Sequence, residues 1–226
     1  MLTRNSIGRK NGLRAKRNGR APQPAWEVAM LFPEQGGWTA EDYLDLPGNR
    51  LVELANGRLE VLPMPTTFHQ WTVFYLWRLL TDFVSKKNLG LALGSPLPVR
   101  LGSRKFREPD ILFMLRKNRK RARNQFWQGA DLVMEVVSDD RKGRERDLVT
   151  KKKEYAQAGI SEYWIVDARR KQVTVLSLHG NKYKVDGQYG LGQRAQSRLL
   201  RGFEVDVTDA LAGPPDFDSE DNNEST

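Results

Sequence analysis

Two short apolar runs, Asp131 to Val137 (DLVMEVV) and Glu162 to Asp167 (EYWIVD), stand out along the chain. Each is rich in Val, Ile or Leu and bounded by polar residues, which predicts strands covered on both faces. The charged stretch between them, RKGRERDLVTKKKEYAQAGIS, predicts a helix, so the unit reads strand, helix, strand. Glu108-Pro109-Asp110 opens a further apolar run, Ile111 to Leu115, and places Asp110 at the mouth of another strand. Thr66 to Asn88 predicts a long helix with an apolar stripe of Val73, Leu76, Trp77, Leu80, Phe83 and Val84. Its aromatics are read as core rather than as a base-stacking platform.

Arg50 to Leu62 reads as a hairpin turning at Asn56-Gly57. Before it, Thr39 is a candidate N-cap with Asp42 completing an imperfect capping box, and Pro47-Gly48 would stop that helix. Leu97 to Leu101 alternates and predicts a strand that pairs near the Asp110 strand. Gln172 to Leu178, Asn181 to Asp186 and Leu199 to Val207 supply the remaining strand candidates. The order of elements predicts an α/β fold: a mixed central sheet flanked by helices, with the hairpin beside the long helix.

Composition adds limits. A chain of 226 residues, 39% hydrophobic with six tryptophans, can bury a core and most simply forms one domain, expected over residues 25–212. Residues 1–24 and 213–226 are expected to be disordered tails, the first basic and the second acidic. The absence of cysteine removes disulfides and thiolate metal sites. No apolar run reaches the length of a membrane span and no secretory segment opens the chain, so cytoplasm is the default expectation. Net charge is +9; setting the seven bases of residues 1–20 against the five acids of residues 213–226 still leaves +7 on the body. A basic body favours a polyanionic partner, nucleic acid first.

The candidate chemistry begins at Glu135, a charge inside a core strand. Desolvating it is costly without a partner, which could be a bound cation or a Lys or Arg. Asp147, Lys151 and Tyr155 stand at i, i+4 and i+8 and share one helical face, so a lysine follows on the element leaving that strand. Two carboxylates from neighbouring strands, Asp110 and Glu135, plus Lys151 are the minimum set for metal-assisted phosphodiester hydrolysis. A Glu135–Lys151 ion pair without metal has the same spacing. The run from Arg116 to Arg123 holds Arg116, Lys117, Arg119, Lys120, Arg121 and Arg123, followed by Phe126 and Trp127. It suits a nucleic-acid contact or a solvated loop equally.

Pro109-Asp110, Glu135-Val136-Val137-Ser138, Asp147 with Lys151 and Tyr155, Gly159-Ile160 and Glu162 to Asp167 together resemble the Uma-two family of restriction endonucleases, within the PD-(D/E)xK nuclease superfamily. The similarity runs from about Tyr43 to Ala210. It implies a restriction-endonuclease-like fold and a Mg²⁺-dependent endonuclease acting on DNA, with Mn²⁺ as a possible substitute. Val137 stands where the superfamily lysine usually does, and the resemblance assigns that role to Lys151. It also matches Glu53, not Glu60, to a glutamate before the hairpin turn, making Glu53 a third metal or water carboxylate. His69 matches a family position and could contact a phosphate or a water. Tyr155, Asp147 and Ser138 could support Lys151 and Glu135 or serve structure alone. The Val136 carbonyl could join the ligands. Cutting two strands needs two sites, which a homodimer would supply. A catalytically silent nucleic-acid-binding protein on the same fold is the alternative.

Overall fold

A computed structural model of the protein describes residues 35–46 and 51–215. All but residues 213–215 of the two expected tails, and the Pro47-Gly48 helix stop, lie outside the described residues. Thr39 caps α1 (Ala40–Leu44) in a complete capping box, its hydroxyl accepting from Asp42 N–H while the Asp42 carboxylate accepts from Thr39 N–H. β1 (Val52–Ala55) and β2 (Arg58–Val61) form the predicted hairpin, and Asn56 and Gly57 take φ of 54° and 79°. Positive φ at both turn residues is the type I′ requirement that selects Asn-Gly. The long helix is α2 (Thr67–Lys86), capped by the Thr66 hydroxyl, and it buries Val73, Leu76, Leu80 and Val84 as its stripe predicts.

β3 (Gly90–Gly94), β4 (Val99–Gly102), β5 (Lys105–Arg107) and β6 (Ile111–Leu115) follow, then a 3-10 turn over Arg116–Arg121 and β7 (Leu132–Val136). The charged connection is α3 (Arg141–Glu145), a π-helical turn over Arg146–Thr150, and α4 (Lys151–Gln157). β8 (Glu162–Asp167), β9 (Gln172–His179), β10 (Lys182–Gly190), β11 (Arg194–Gln196), β12 (Glu204–Asp206) and α5 (Val207–Ala210) complete the described chain. Among the described residues, no helix is long and apolar enough to cross a membrane.

The central sheet has six strands in the order β10-β9-β8-β7-β6-β3. It is mixed: β7 and β8 run parallel across the α3–α4 connection, and the other pairs are antiparallel. Leu97 to Leu101, expected to pair near the Asp110 strand, supplies most of β4, which pairs with β5 just before Asp110 and not with β6 itself. β3 pairs with β6, with Gly90 opposite Leu115 and Gly94 opposite Ile111. The run Gly90-Leu91-Ala92-Leu93-Gly94 has no β-branched residue to announce a strand. Its first glycine fits because a Cβ there would lie 2.0 Å from the Met114 carbonyl oxygen. β4 instead turns back onto β5, and the two join the hairpin in a separate sheet, β2-β1-β5-β4.

Alternation distributes the central strands between two cores. Ile111, Phe113, Leu132, Met134, Trp164 and Val166 pack with the α2 stripe on one face. Leu112, Met114, Val133, Val137, Tyr163 and Ile165 pack with Tyr155 and Ile160 on the other. Glu135 falls in the second series, between Val133 and Val137, on the face covered by α4.

Candidate active site

Asp110 and Glu135 come together because β6 and β7 are antiparallel neighbours, with Ile111 opposite Met134. Asp110 immediately precedes β6, and its Oδ2 accepts from Val136 N–H at 2.8 Å. That bond fixes the Asp110 carboxylate beside the end of β7. His69, in the first turn of α2, places Nε2 3.3 Å from the same oxygen. Burial works against a charge on His69, but the bond to Asp110 and the nearby Asp110 and Glu135 carboxylates outweigh it and raise its pKa.

Glu135 Oε1 accepts from Lys151 Nζ at 2.9 Å and from the Tyr155 hydroxyl at 2.5 Å. Lys151 Nζ also lies 3.4 Å from Glu53 Oε1 and 3.6 Å from Asp147 Oδ1. Burial opposes the ammonium charge, yet Glu135, Glu53 and Asp147 hold its pKa above that of a free lysine. The Glu135 carboxyl is pushed up to about 8, chiefly by burial, with Asp110, Asp147 and Glu53 adding to the effect and Lys151 opposing it. Asp147 Oδ2 accepts from both the backbone and the hydroxyl of Ser138, which ties the π-helical turn to the end of β7.

Glu53 sits one layer deeper. It is fully buried and does not line the cleft; its Oε1 accepts from Glu108 N–H at 2.9 Å and its Oε2 from Arg107 at 2.8 Å. Burial alone would raise its pKa, but Lys151, Arg107 and the Glu108 N–H lower it, so it stands as a carboxylate. Glu60, opposite Glu53 in the hairpin register, reaches the same Arg107. Arg107 was not singled out by the sequence. Neither was Arg146, which lines the cleft and contacts Asp147 at 3.3 Å. The available signal was local: Arg146 directly precedes Asp147, and Arg107 directly precedes Glu108-Pro109-Asp110.

Asp110, Glu135, Lys151, Asp147 and His69 all line one cleft of about 660 Å³, while Tyr155 supports it from behind. The basic cluster is not part of it. Arg116 to Arg121 follow the other end of β6, roughly 20 Å away at the usual strand rise. There Arg121 pairs with Asp131 at 3.6 Å and donates to the Gln128 carbonyl. Arg123 continues the same connection to β7.

The donor set fits Mg²⁺. Asp110 Oδ1 and Glu135 Oε2, one oxygen on each carboxylate, accept no hydrogen bond from any described residue. Among the described residues no three His, Asp or Glu side chains converge as a ready-made cage. Mg²⁺ does not require one, since it keeps several waters and uses one or two carboxylates plus substrate phosphates.

The architecture is that of the restriction-endonuclease-like α/β class. It matches a crystal structure described as a "putative nuclease belonging to DUF820" from Anabaena variabilis ATCC 29413, with a TM-score of 0.62 and 16% identity over 77% of this chain and 97% of the other. Residues 40–208 match the Uma2 family, described as "Putative restriction endonuclease", and the chain belongs to that family. Comparison with curated proteins finds no match.

Proposed function

We propose that the protein is a metal-dependent endonuclease that hydrolyses phosphodiester bonds in DNA. One observation carries the reading: Asp110 and Glu135, from adjacent strands, each keep one oxygen free of donors among the described residues in the same cleft, beside the buried ammonium of Lys151. The family description and the neighbour of the same fold support it. When bound, Mg²⁺ (or Mn²⁺ in its place) supplies polarisation of the phosphate and acidification of water.

The chain's own contribution follows from its contacts. Asp110 and Glu135 would hold the ion, with the Val136 carbonyl as a further oxygen. Lys151, held by Glu135, Glu53 and Asp147, stays charged and would orient the attacking water by hydrogen bonding. Tyr155 fixes the Glu135 rotamer, and His69 fixes Asp110 and offers a cation near an incoming phosphate. Glu53, out of the cleft, would position Lys151 rather than touch substrate.

Calorimetric titration with Mg²⁺ and Mn²⁺, with and without a DNA oligonucleotide, tests the metal reading. Saturable binding by the wild type, lost in Glu135→Gln, and cleavage abolished by Asp110→Asn or Glu135→Gln with DNA binding kept or strengthened are expected. Normal cleavage by Glu135→Gln would sink the assignment. The Glu135–Lys151 pair is already complete without metal, and this favours one second reading, a catalytically silent nucleic-acid-binding protein. Binding that is steeply salt-dependent, with no metal uptake in any condition, would decide for it.

A further inference from the structure

We propose that the cleft takes an unpaired base next to the phosphate it acts on, so that the substrate class is single-stranded DNA rather than intact duplex. This rests on the phosphodiesterase reading of Asp110 and Glu135. The apolar wall of the cleft comes from the β2–α2 connection and the first half of α2, through Met64, Phe68, Phe74 and Trp77. Met64 is 76% exposed and Phe74 63% exposed. Phe74 lies outside the α2 stripe: Val73 and Leu76 go under the helix into the core, while Phe74 faces the cleft. Trp71, one turn earlier on the same side, is also exposed. Trp77 packs partly against the core, but Trp71 and Phe74 on α2 and Met64 before it stay exposed, and an exposed apolar patch beside a polar site marks a binding surface. A phenyl face and a thioether stack on a base of any sequence.

Charge selects between the two forms of DNA. The cleft is lined by six carboxyl groups, those of Glu108, Asp110, Glu135, Asp139, Asp140 and Asp147, against the three basic side chains His69, Arg146 and Lys151. Lys151 is engaged by Glu135 and Arg146 by Asp147, and His69, on Asp110, is the one cation beside the incoming phosphate. A duplex brings two phosphate backbones that need neutralising, and among the described residues the cleft has no spare cation for the second. The basic run that could serve stands at the far end of β6. A single strand brings one backbone and bases free to leave their stack, which matches an acidic metal-type site beside an aromatic wall.

The test is fluorescence anisotropy of the full chain carrying Glu135→Gln, with labelled single-stranded and duplex oligonucleotides of one sequence in Mg²⁺. The single strand is expected to bind at least ten-fold more tightly than the duplex. Adding Phe74→Ala should weaken single-strand binding about ten-fold, the loss of roughly one stacked base, and leave duplex binding within about two-fold. Phe74 is exposed, so its removal leaves the core intact. Duplex binding as tight as single-strand binding, or an equal effect of Phe74→Ala on both, overturns the proposal. So does a dimer that Phe74→Ala dissociates without loss of single-strand affinity, which would assign the patch to a second copy. The readout is binding, so it separates from the nuclease reading. A single-strand preference lost in Phe74→Ala, in a protein that cuts nothing with Mg²⁺ or Mn²⁺, supports the wall and refutes the nuclease. Duplex cleavage indifferent to Phe74→Ala does the reverse.

Discussion

At the scale of one residue, the burial of Glu135 makes stability depend on pH. Burial, helped by Asp110, Asp147 and Glu53, raises its carboxyl to about 8 from an ordinary value of 4.5. Between those two values the folded protein holds a proton that the unfolded chain has lost. Stability therefore falls as pH rises across that window. Glu135→Gln keeps the shape and removes the titration. Melting curves in chelator at about pH 6 and about pH 8 should show the wild-type Tm falling and the variant's slope much reduced, so that the variant is the more stable at the higher pH. Parallel slopes would mean that Glu135 titrates elsewhere. On the proposed metal reading the same proton must leave before a cation can bind, so apparent Mg²⁺ affinity should climb about ten-fold per pH unit below about 8 and level off above it. Calorimetry in a series of buffers measures this, and a flat profile would mean the carboxyl is already ionised. Glu135 was conspicuous in the sequence because a charge interrupts an apolar run. Glu53 was not, since alternation in a hairpin allows its carboxylate to face water. Only family likeness separated it from Glu60, and burial is what distinguishes them in the structure.

At the scale of elements, Arg107 joins the small sheet to α4. Glu53 and Glu60 are direct cross-strand partners, an arrangement in which like charges repel. The Arg107 guanidinium on β5 contacts both and reaches Glu154 on α4 at 2.7 Å, while Lys105 meets Glu154 from the side at 2.9 Å. Two strands, a third strand and a helix thus share one buried ion network, and Lys151 hangs from it through Glu53. Arg107→Met would leave three carboxylates facing one another and should cost about 3–5 kcal/mol in urea unfolding, as for a buried pair broken on one side. Arg107→Lys should recover only part, because a single ammonium cannot span the partners as the planar fork does. An unchanged midpoint for Arg107→Met would show the network to be dispensable. Local pattern made the strands β6, β7 and β8 and the helix α2 legible, along with the Asn56-Gly57 turn. It could not reveal the Arg107 network, whose members are brought together from β1, β2 and β5 by strand pairing and from α4 by its packing against them. β3 was missed for a related reason, since two glycines and no β-branched residue hide a strand whose place is secured by close approach to β6.

At the scale of the whole molecule, charge is divided between the two ends of β6. The cleft end is acidic, whereas the turn after Leu115 carries Arg116, Lys117, Arg119, Lys120 and Arg121, none of them within the cleft. The sequence showed the net basicity and the cluster but not their separation, which depends on which end of a strand each loop leaves. That separation gives the two ends different kinetic signatures. Replacing Arg116, Lys117, Arg119 and Lys120 with Ser removes charge roughly 20 Å from Asp110 and should leave Mg²⁺ uptake and turnover at saturating substrate unchanged. Nucleic-acid affinity should weaken, and the slope of log affinity against log salt should flatten by about 0.7 for each phosphate of the single strand that is no longer neutralised. If that slope does not move, the turn is a solvated connection and the cleft alone holds the strand. If turnover itself collapses, the turn acts on the reacting phosphate, and the chemistry cannot be confined to the Asp110–Glu135 end of the sheet.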